Sequence, residues 1–145
     1  MQGAPEFFGV LPLMAVGLFA LNNGVLKQAW PGWVTGKLSD ILVCFFLPLF
    51  ISAILDRISR VAPVARVAIG IAITAAVFIA LKTSAAASTV HDAGIATLVQ
   101  RFGMFPAPNR VDTTDLCALP MLALAWMYAR RKLGHGFASA ERRQP

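Results

Sequence analysis

The sequence predicts an all-α integral membrane protein: a bundle of four transmembrane helices, both termini cytoplasmic, with a short amphipathic helix in the outer loop. Three observations predict it. Apolar residues make up 57% of the 145-residue chain and charged residues 14%, against ~45–50% and ~25% in soluble domains. The apolar residues collect in four runs separated by charge. None alternates with the period of two that a half-buried strand needs, and four strands cannot close a barrel, so helices are the spanning solution.

The first run, Phe7 to Leu26, has the ~20 residues that cross a ~30 Å hydrocarbon core. The stretch before it carries Glu6 and no Lys or Arg, unlike the cationic start of a signal peptide, so the run is expected to be retained. The second run, Ile41 to Leu55, and the fourth, Leu116 to Ala129, are short. Asp56-Arg57 and Arg130-Arg131-Lys132 block their inner ends, so both must grow outward, through Gly36–Asp40 and Val111–Asp115. The third, Val61 to Leu81, is interrupted only by Arg66. Helices are thus expected over about 7–26, 36–55, 61–82 and 111–129, in one domain of residues 1–134, with 135–145 as a cytoplasmic tail.

Pro12, Pro48 and Pro120 fall inside three of these runs, where each removes a backbone bond. The third run carries Ala68, Ala72, Ala76, Ala80 and Ser84 four apart. Such a row lets helix backbones approach closely, so this helix is expected at the centre of the bundle with its alanines buried. In the long loop from Lys82 to Asp115, Val90, Ile95, Leu98, Val99 and Phe102 recur with helical spacing behind Ser88 or Thr89 as a cap. A break at Phe105–Asn109 follows.

Orientation follows from the cations. Arg57, Arg60, Arg66, Arg130, Arg131, Lys132, Arg142 and Arg143 fall on one side, and Lys27, Lys37, Lys82, Arg101 and Arg110 are spread over the other. The denser side should be cytoplasmic. The net charge of +6 is therefore that of a membrane protein orienting itself, and nucleic-acid binding is not expected because the cations lie between apolar runs. Cys44 and Cys117 lie within apolar runs at no metal or redox spacing. No cofactor and no metal site are expected.

Chemistry concentrates at the outer ends of the helices: Asn22, Asn23, Lys27, Lys37, Ser39, Asp40, Lys82, Thr83, Ser84, Asp112, Thr114 and Asp115. Lys37 and Asp40 share a helix face, as do Asp112 and Asp115. Ionisable groups within a membrane are costly and mark a site by default. The leading constellation is Lys37, Asp40, Lys82, Asp112 and Asp115, either as structural ion pairs or as a ligand-binding cavity. The lysines suit an anionic lipid-like ligand. Asp40 with Asp115 or Asp112 suits an aspartate dyad that activates water for hydrolysis within the membrane. Ser39 or Ser84 with a lysine, and carboxylates with His91 around a divalent cation, are further arrangements. Membrane lipids, and a larger membrane complex to which the chain is an accessory subunit, are the partners this implies.

The segments Thr35-Gly36-Lys37-Leu38-Ser39-Asp40, Leu81-Lys82-Thr83-Ser84 and Asp112-Thr113-Thr114-Asp115-Leu116 resemble a group of uncharacterised small bacterial membrane proteins with four spans. The resemblance runs from Asn22 to about Trp126. It implies the inner membrane of a bacterium and points to Lys37, Asp40, Lys82 and Asp115, but it brings no activity. VanZ-like proteins are similar in pairing an outer lysine motif with a later aspartate, though the histidine and asparagine of their motifs are absent here. Type II signal peptidases are similar in size and in two outer aspartates, without their Asn-rich motifs. Shared architecture alone assigns no function.

Overall fold

The structure is a computed structural model. It describes residues 4–30, 32–100 and 111–141, with side chains described to residue 97 in the second stretch and residue 134 in the third. Every regular element among the described residues is helical: α1 (Val10–Leu21), a π-helical turn (Asn22–Leu26), α2 (Lys27–Ala29), α3 (Trp33–Ile58), α4 (Pro63–Thr83), α5 (Ala85–Gln100), a 3₁₀ segment (Thr113–Ala118) and α6 (Pro120–Glu141). Three of these stretches are long and apolar enough to cross a membrane: Val10–Ala29, Trp33–Ile58 and Pro63–Thr83, of 20, 26 and 21 residues.

The boundaries have local causes. Ahead of α1 the amides of Phe7 and Phe8 both donate to the Ala4 carbonyl, so the chain turns and the helix opens at Val10. Pro12 falls in the first turn, where its missing N–H would have had no partner within the helix. Pro120 is the first residue of α6, a position for which its fixed φ is suited. Of the three prolines read as interior, only Pro48 lies beyond the first turn of its helix. α3 runs past Asp56-Arg57 to Ile58, because charge ends a hydrophobic run without ending a helix. Ser59, in extended conformation, stops it, with both its amide and its hydroxyl donating to the Leu55 carbonyl.

The fourth run is not one α-helix. It begins as the 3₁₀ segment, and α6 starts only at Pro120, since the residue before a proline is driven out of helical conformation. α6 then continues through Arg130-Arg131-Lys132 to Glu141, and it is not among the stretches long and apolar enough to span.

The chain divides into two compact units, one ending at Ala75 and resuming at Ala118, the other Ala76–Cys117. In the first, α3 packs against α1 and α6. Its core is Leu49, Val67, Ala125, Ala129 and Leu133, surrounded by Phe7, Phe45, Ile71, Trp126 and Tyr128. α4 approaches α3 through Gly70, where a Cβ would collide with the Pro48 carbonyl. With no side chain between them, the two helix backbones can approach closely here.

The alanine row expected in the core is exposed instead. Ala68, Ala72, Ala76 and Ala80 all face outward, and the buried face of α4 carries Arg66, Val67, Gly70, Thr74, Phe78 and Lys82. A helix has one inward face, and the approach to Pro48 together with the burial of Arg66 places it on the Gly70 side. The buried alanines of the helices are instead Ala15 on α1, Ala53 on α3, and Ala125 and Ala129 on α6. The helix with partners on several sides is α3, rather than the one carrying the alanine row.

In the second unit α5 begins one residue after α4 ends. Ser84 is its cap, its Oγ accepting the Ala87 amide at 3.3 Å. The expected caps take other roles: Ser88 is buried within α5, and the Thr89 hydroxyl donates to the Ala85 carbonyl at 2.9 Å. Phe102, the break at 105–109, and the terminal Arg142 and Arg143 lie outside the described residues.

Candidate functional site

The polar residues of the first unit gather where the π-helical turn meets the start of α3. A π turn takes one more residue per hydrogen-bonded ring than an α-helix, which swings the following side chains around the axis. Here the turn is built on Asn22-Asn23-Gly24, and the Asn23 amide donates back to the Phe19 carbonyl at 2.9 Å. Asn22 is fully buried. Its Nδ2 donates to the Thr35 carbonyl at 2.7 Å and to Ser39 Oγ at 2.8 Å, and Ser39 donates on to Asn23 Oδ1 at 3.3 Å.

Lys37 and Asp40 flank this network on α3 and are both half-buried. The Lys37 ammonium lies 5.0 Å from the centre of the Trp33 ring, a cation–π contact. Trp33 and Trp30 are 69% and 72% exposed, the placement of indoles that sit at a membrane–water interface. The start of α3 has Gly32 as its cap, in extended conformation and without a side-chain cap hydrogen bond, and no acidic residue lies in its first turn. Thr35 does not cap it, because its hydroxyl donates to the Trp30 and Gly32 carbonyls. No carboxylate in the first turn offsets the partial positive charge of the helix terminus.

In the second unit Lys82 and Asp115 form a buried ion pair, Nζ to Oδ2 at 2.8 Å. α4 supplies the lysine on its inward face, with the ammonium also 5.6 Å from the Phe78 ring centre. The 3₁₀ segment supplies the aspartate, and Asp112 shapes that segment. Asp112 Oδ1 accepts the Thr114 amide at 2.9 Å and hydroxyl at 2.7 Å, while its carbonyl accepts the Asp115 amide. Asp112 is thus a turn-former and Asp115 a charge partner. His91 contacts Asp92 at 3.1 Å, and among the described residues no three His, Cys, Asp or Glu side chains gather as metal ligands would.

A further buried cluster of charges was not anticipated from the sequence. Glu6, fully buried, accepts a hydrogen bond from Ser52 Oγ at 2.8 Å and lies 3.7 Å from Arg66 Nη2. Arg66 Nη1 in turn contacts Asp56. The segment before α1, the last turns of α3 and the first turn of α4 are joined by this one guanidinium. Its signals in the sequence were Arg66 interrupting an apolar run and Glu6 standing alone before another.

A comparison with protein-family models, with curated proteins and with solved structures found no match.

Proposed function

We propose that the chain is a four-span protein of the bacterial inner membrane, with both termini cytoplasmic, that binds an anionic lipid-like ligand at its outer face, at the N-terminal end of α3. One observation carries the reading. Lys37 lies over an exposed tryptophan, one turn inside a helix terminus whose cap is Gly32 and whose first turn carries no acidic residue. An anion at that point gains from the ammonium and from the helix terminus together. The two exposed indoles set the depth at which lipid headgroups lie. The buried Asn22, Asn23 and Ser39 network holds the turn against α3. Resemblance to the bacterial group with the Thr35–Asp40 motif supports the same location. The 3₁₀ start of the fourth run supports a fourth span, since it rises ~2.0 Å per residue against ~1.5 Å for an α-helix.

The test is native mass spectrometry of the protein extracted in mild detergent. Wild type retains an anionic lipid, and Lys37→Ala lowers the bound fraction about fivefold, the effect of one interfacial cation. An unchanged adduct in Lys37→Ala refutes the reading. A reporter fused after Lys132 should behave as cytoplasmic and one inserted near Pro106 as periplasmic, and the reverse pattern would put the site on the other face.

A second reading, that the chain is an accessory subunit of a larger membrane complex, draws on α1. In the most apolar 18-residue window of the first stretch 17% is buried, against 39% in that of Trp33–Ile58, which leaves a face that lipid or a partner can cover. Recovery of a stoichiometric partner after gentle extraction would favour it. An aspartate-pair hydrolase has less support, because Asp115 is bonded to Lys82 and Asp112 is engaged in its own turn.

A further inference from the structure

Residues 4–8 form a short strap ahead of α1, folded against the later turns of α3. Ala4 and Glu6 are buried, while Pro5 and Phe8 are exposed. Two backbone hydrogen bonds hold the strap in shape, the Phe7 and Phe8 amides donating to the Ala4 carbonyl. Gly9 joins it to α1 in extended conformation, where a Cβ would meet the Tyr128 hydroxyl. The strap is thus anchored through its side chains, and Glu6 is the polar one among them.

The fit of that anchor is incomplete. Glu6 Oε1 accepts the Ser52 hydroxyl but lies 3.7 Å from Arg66 Nη2, longer than a hydrogen bond. Its other oxygen, Oε2, is buried with no partner, and so is Arg66 Nε. A carboxylate facing the guanidinium squarely takes Nε and Nη2 together in two parallel bonds. Nη1 is already turned to Asp56, so the Nε–Nη2 edge is the one left for such a partner. Buried polar atoms without partners are costly. Here they fall on both sides of one ion pair, which points to an occupant that fits this edge better than a side chain tethered to the strap.

We propose that Arg66 and Ser52 form a binding site for the carboxylate of a long-chain fatty acid, and that Glu6 is its internal occupant, displaced with the strap when the ligand enters. The free carboxylate takes the Nε–Nη2 edge of Arg66 and accepts the Ser52 hydroxyl. The acyl chain takes the place of Phe7, which packs on the apolar core with its ring 5.3 Å from Phe50. The strap offers the same chemistry as this ligand, a carboxylate followed at once by an apolar group. One carboxylate replacing another leaves the charge of the cluster unchanged, which a phosphate dianion would not. The way out is apolar, since Phe8, 5.3 Å from the Phe7 ring, and Phe50 are 58% and 42% exposed. The inference is independent of the Lys37 site, which lies near the start of α3.

The test uses the full chain in non-ionic micelles at mildly alkaline pH, with palmitate isotope-labelled at its carboxyl and followed by NMR. A fluorophore attached through Pro5→Cys, in a chain that also carries Cys117→Ser, reports the strap; Cys44 is buried. Palmitate should bind and shift the emission, and hexadecanol, which has the chain without the carboxylate, should do neither. Glu6→Ala removes the internal occupant and should tighten palmitate binding about tenfold, as for a site open in about a tenth of the molecules. Arg66→Lys keeps the charge but not the two-pronged edge, and should weaken binding about 30-fold, the loss of a charge-assisted hydrogen bond. Ser52→Ala, the milder change should Arg66→Lys not fold, should weaken it about fivefold. Lys37→Ala should leave it unchanged, which separates failure here from failure of the outer site. Palmitate binding that is not tightened by Glu6→Ala, full binding by Ser52→Ala, or equal emission shifts from palmitate and hexadecanol overturns the proposal.

Discussion

α3 is tied to its neighbours at both ends, and the two ties use different chemistry. At its start, Asn22, Asn23, Ser39 and the Thr35 carbonyl form a network of neutral hydrogen bonds. Near its finish, Ser52 and Asp56 join Glu6 and Arg66 in a network of charges. Both are buried, and they differ in what happens when one member is lost. A neutral donor removed leaves an unsatisfied acceptor, at ~1–3 kcal/mol. A buried cation removed strands the carboxylates around it, at ~3–5 kcal/mol, even though the intact cluster need not outweigh the cost of desolvating it. The charged tie is thus the less forgiving one without being the more stabilising one.

The largest expected effect tests that contrast directly. Arg66→Met leaves Glu6 and Asp56 without their cation and should cost ~3–5 kcal/mol in unfolding free energy, read by denaturant titration in micelles. Adding Glu6→Gln and Asp56→Asn should recover a large part. If Arg66→Met costs no more than Asn22→Ala, the distinction between the two ties is lost. Lys82→Met extends the comparison to the second unit, where one cation faces Asp115. It should cost ~3 kcal/mol, with Asp115→Asn in the same chain restoring most of it. No recovery would mean that packing against Phe78, not the pair, is what Lys82 supplies.

Between the two ties, α3 meets α4 at Pro48. Gly70→Leu should cost ~1–3 kcal/mol through overpacking, while Ala68→Leu and Ala72→Leu on the exposed side should stay within ~0.5 kcal/mol. Equal costs at positions 70 and 72 would return the alanine row to the interface. Among the buried positions the smallest effect is at the neutral tie itself: Ser39→Ala should cost ~1 kcal/mol. A loss above that of Lys82→Met would invert the comparison.

The first three expected helices lie within a few residues of Val10–Ala29, Trp33–Ile58 and Pro63–Thr83, because long apolar runs leave little choice. The fourth, expected over 111–129, is instead α6 at Pro120–Glu141. Lys82 and Asp115 drew attention because charge is rare in such runs. Facing was harder. Alanines four apart mark a face capable of close packing, but Gly70 and Arg66 lie on a different face of α4, and the deciding contact was with Pro48, on another helix. Pro120 was read as interior because hydropathy does not register where a helix begins, whereas the preceding 3₁₀ segment does. Glu6 was passed over for a similar reason. Its partners Ser52 and Arg66 are distant in the chain, and no local pattern announces a contact made by folding back.

Those long separations bear on how the chain is made. Synthesis runs from the N-terminus, so Glu6 appears well before Ser52, 46 residues later, and Arg66 later still. Lys82 likewise precedes Asp115 by 33 residues. Each early charge enters its surroundings before its partner exists. Newly made chain must therefore keep Glu6 and Lys82 in contact with water, or with the insertion machinery, until the later segments arrive. A chain truncated just before Asp115 and released into the membrane should keep Lys82 open to a water-soluble amine reagent, and the full chain should close it.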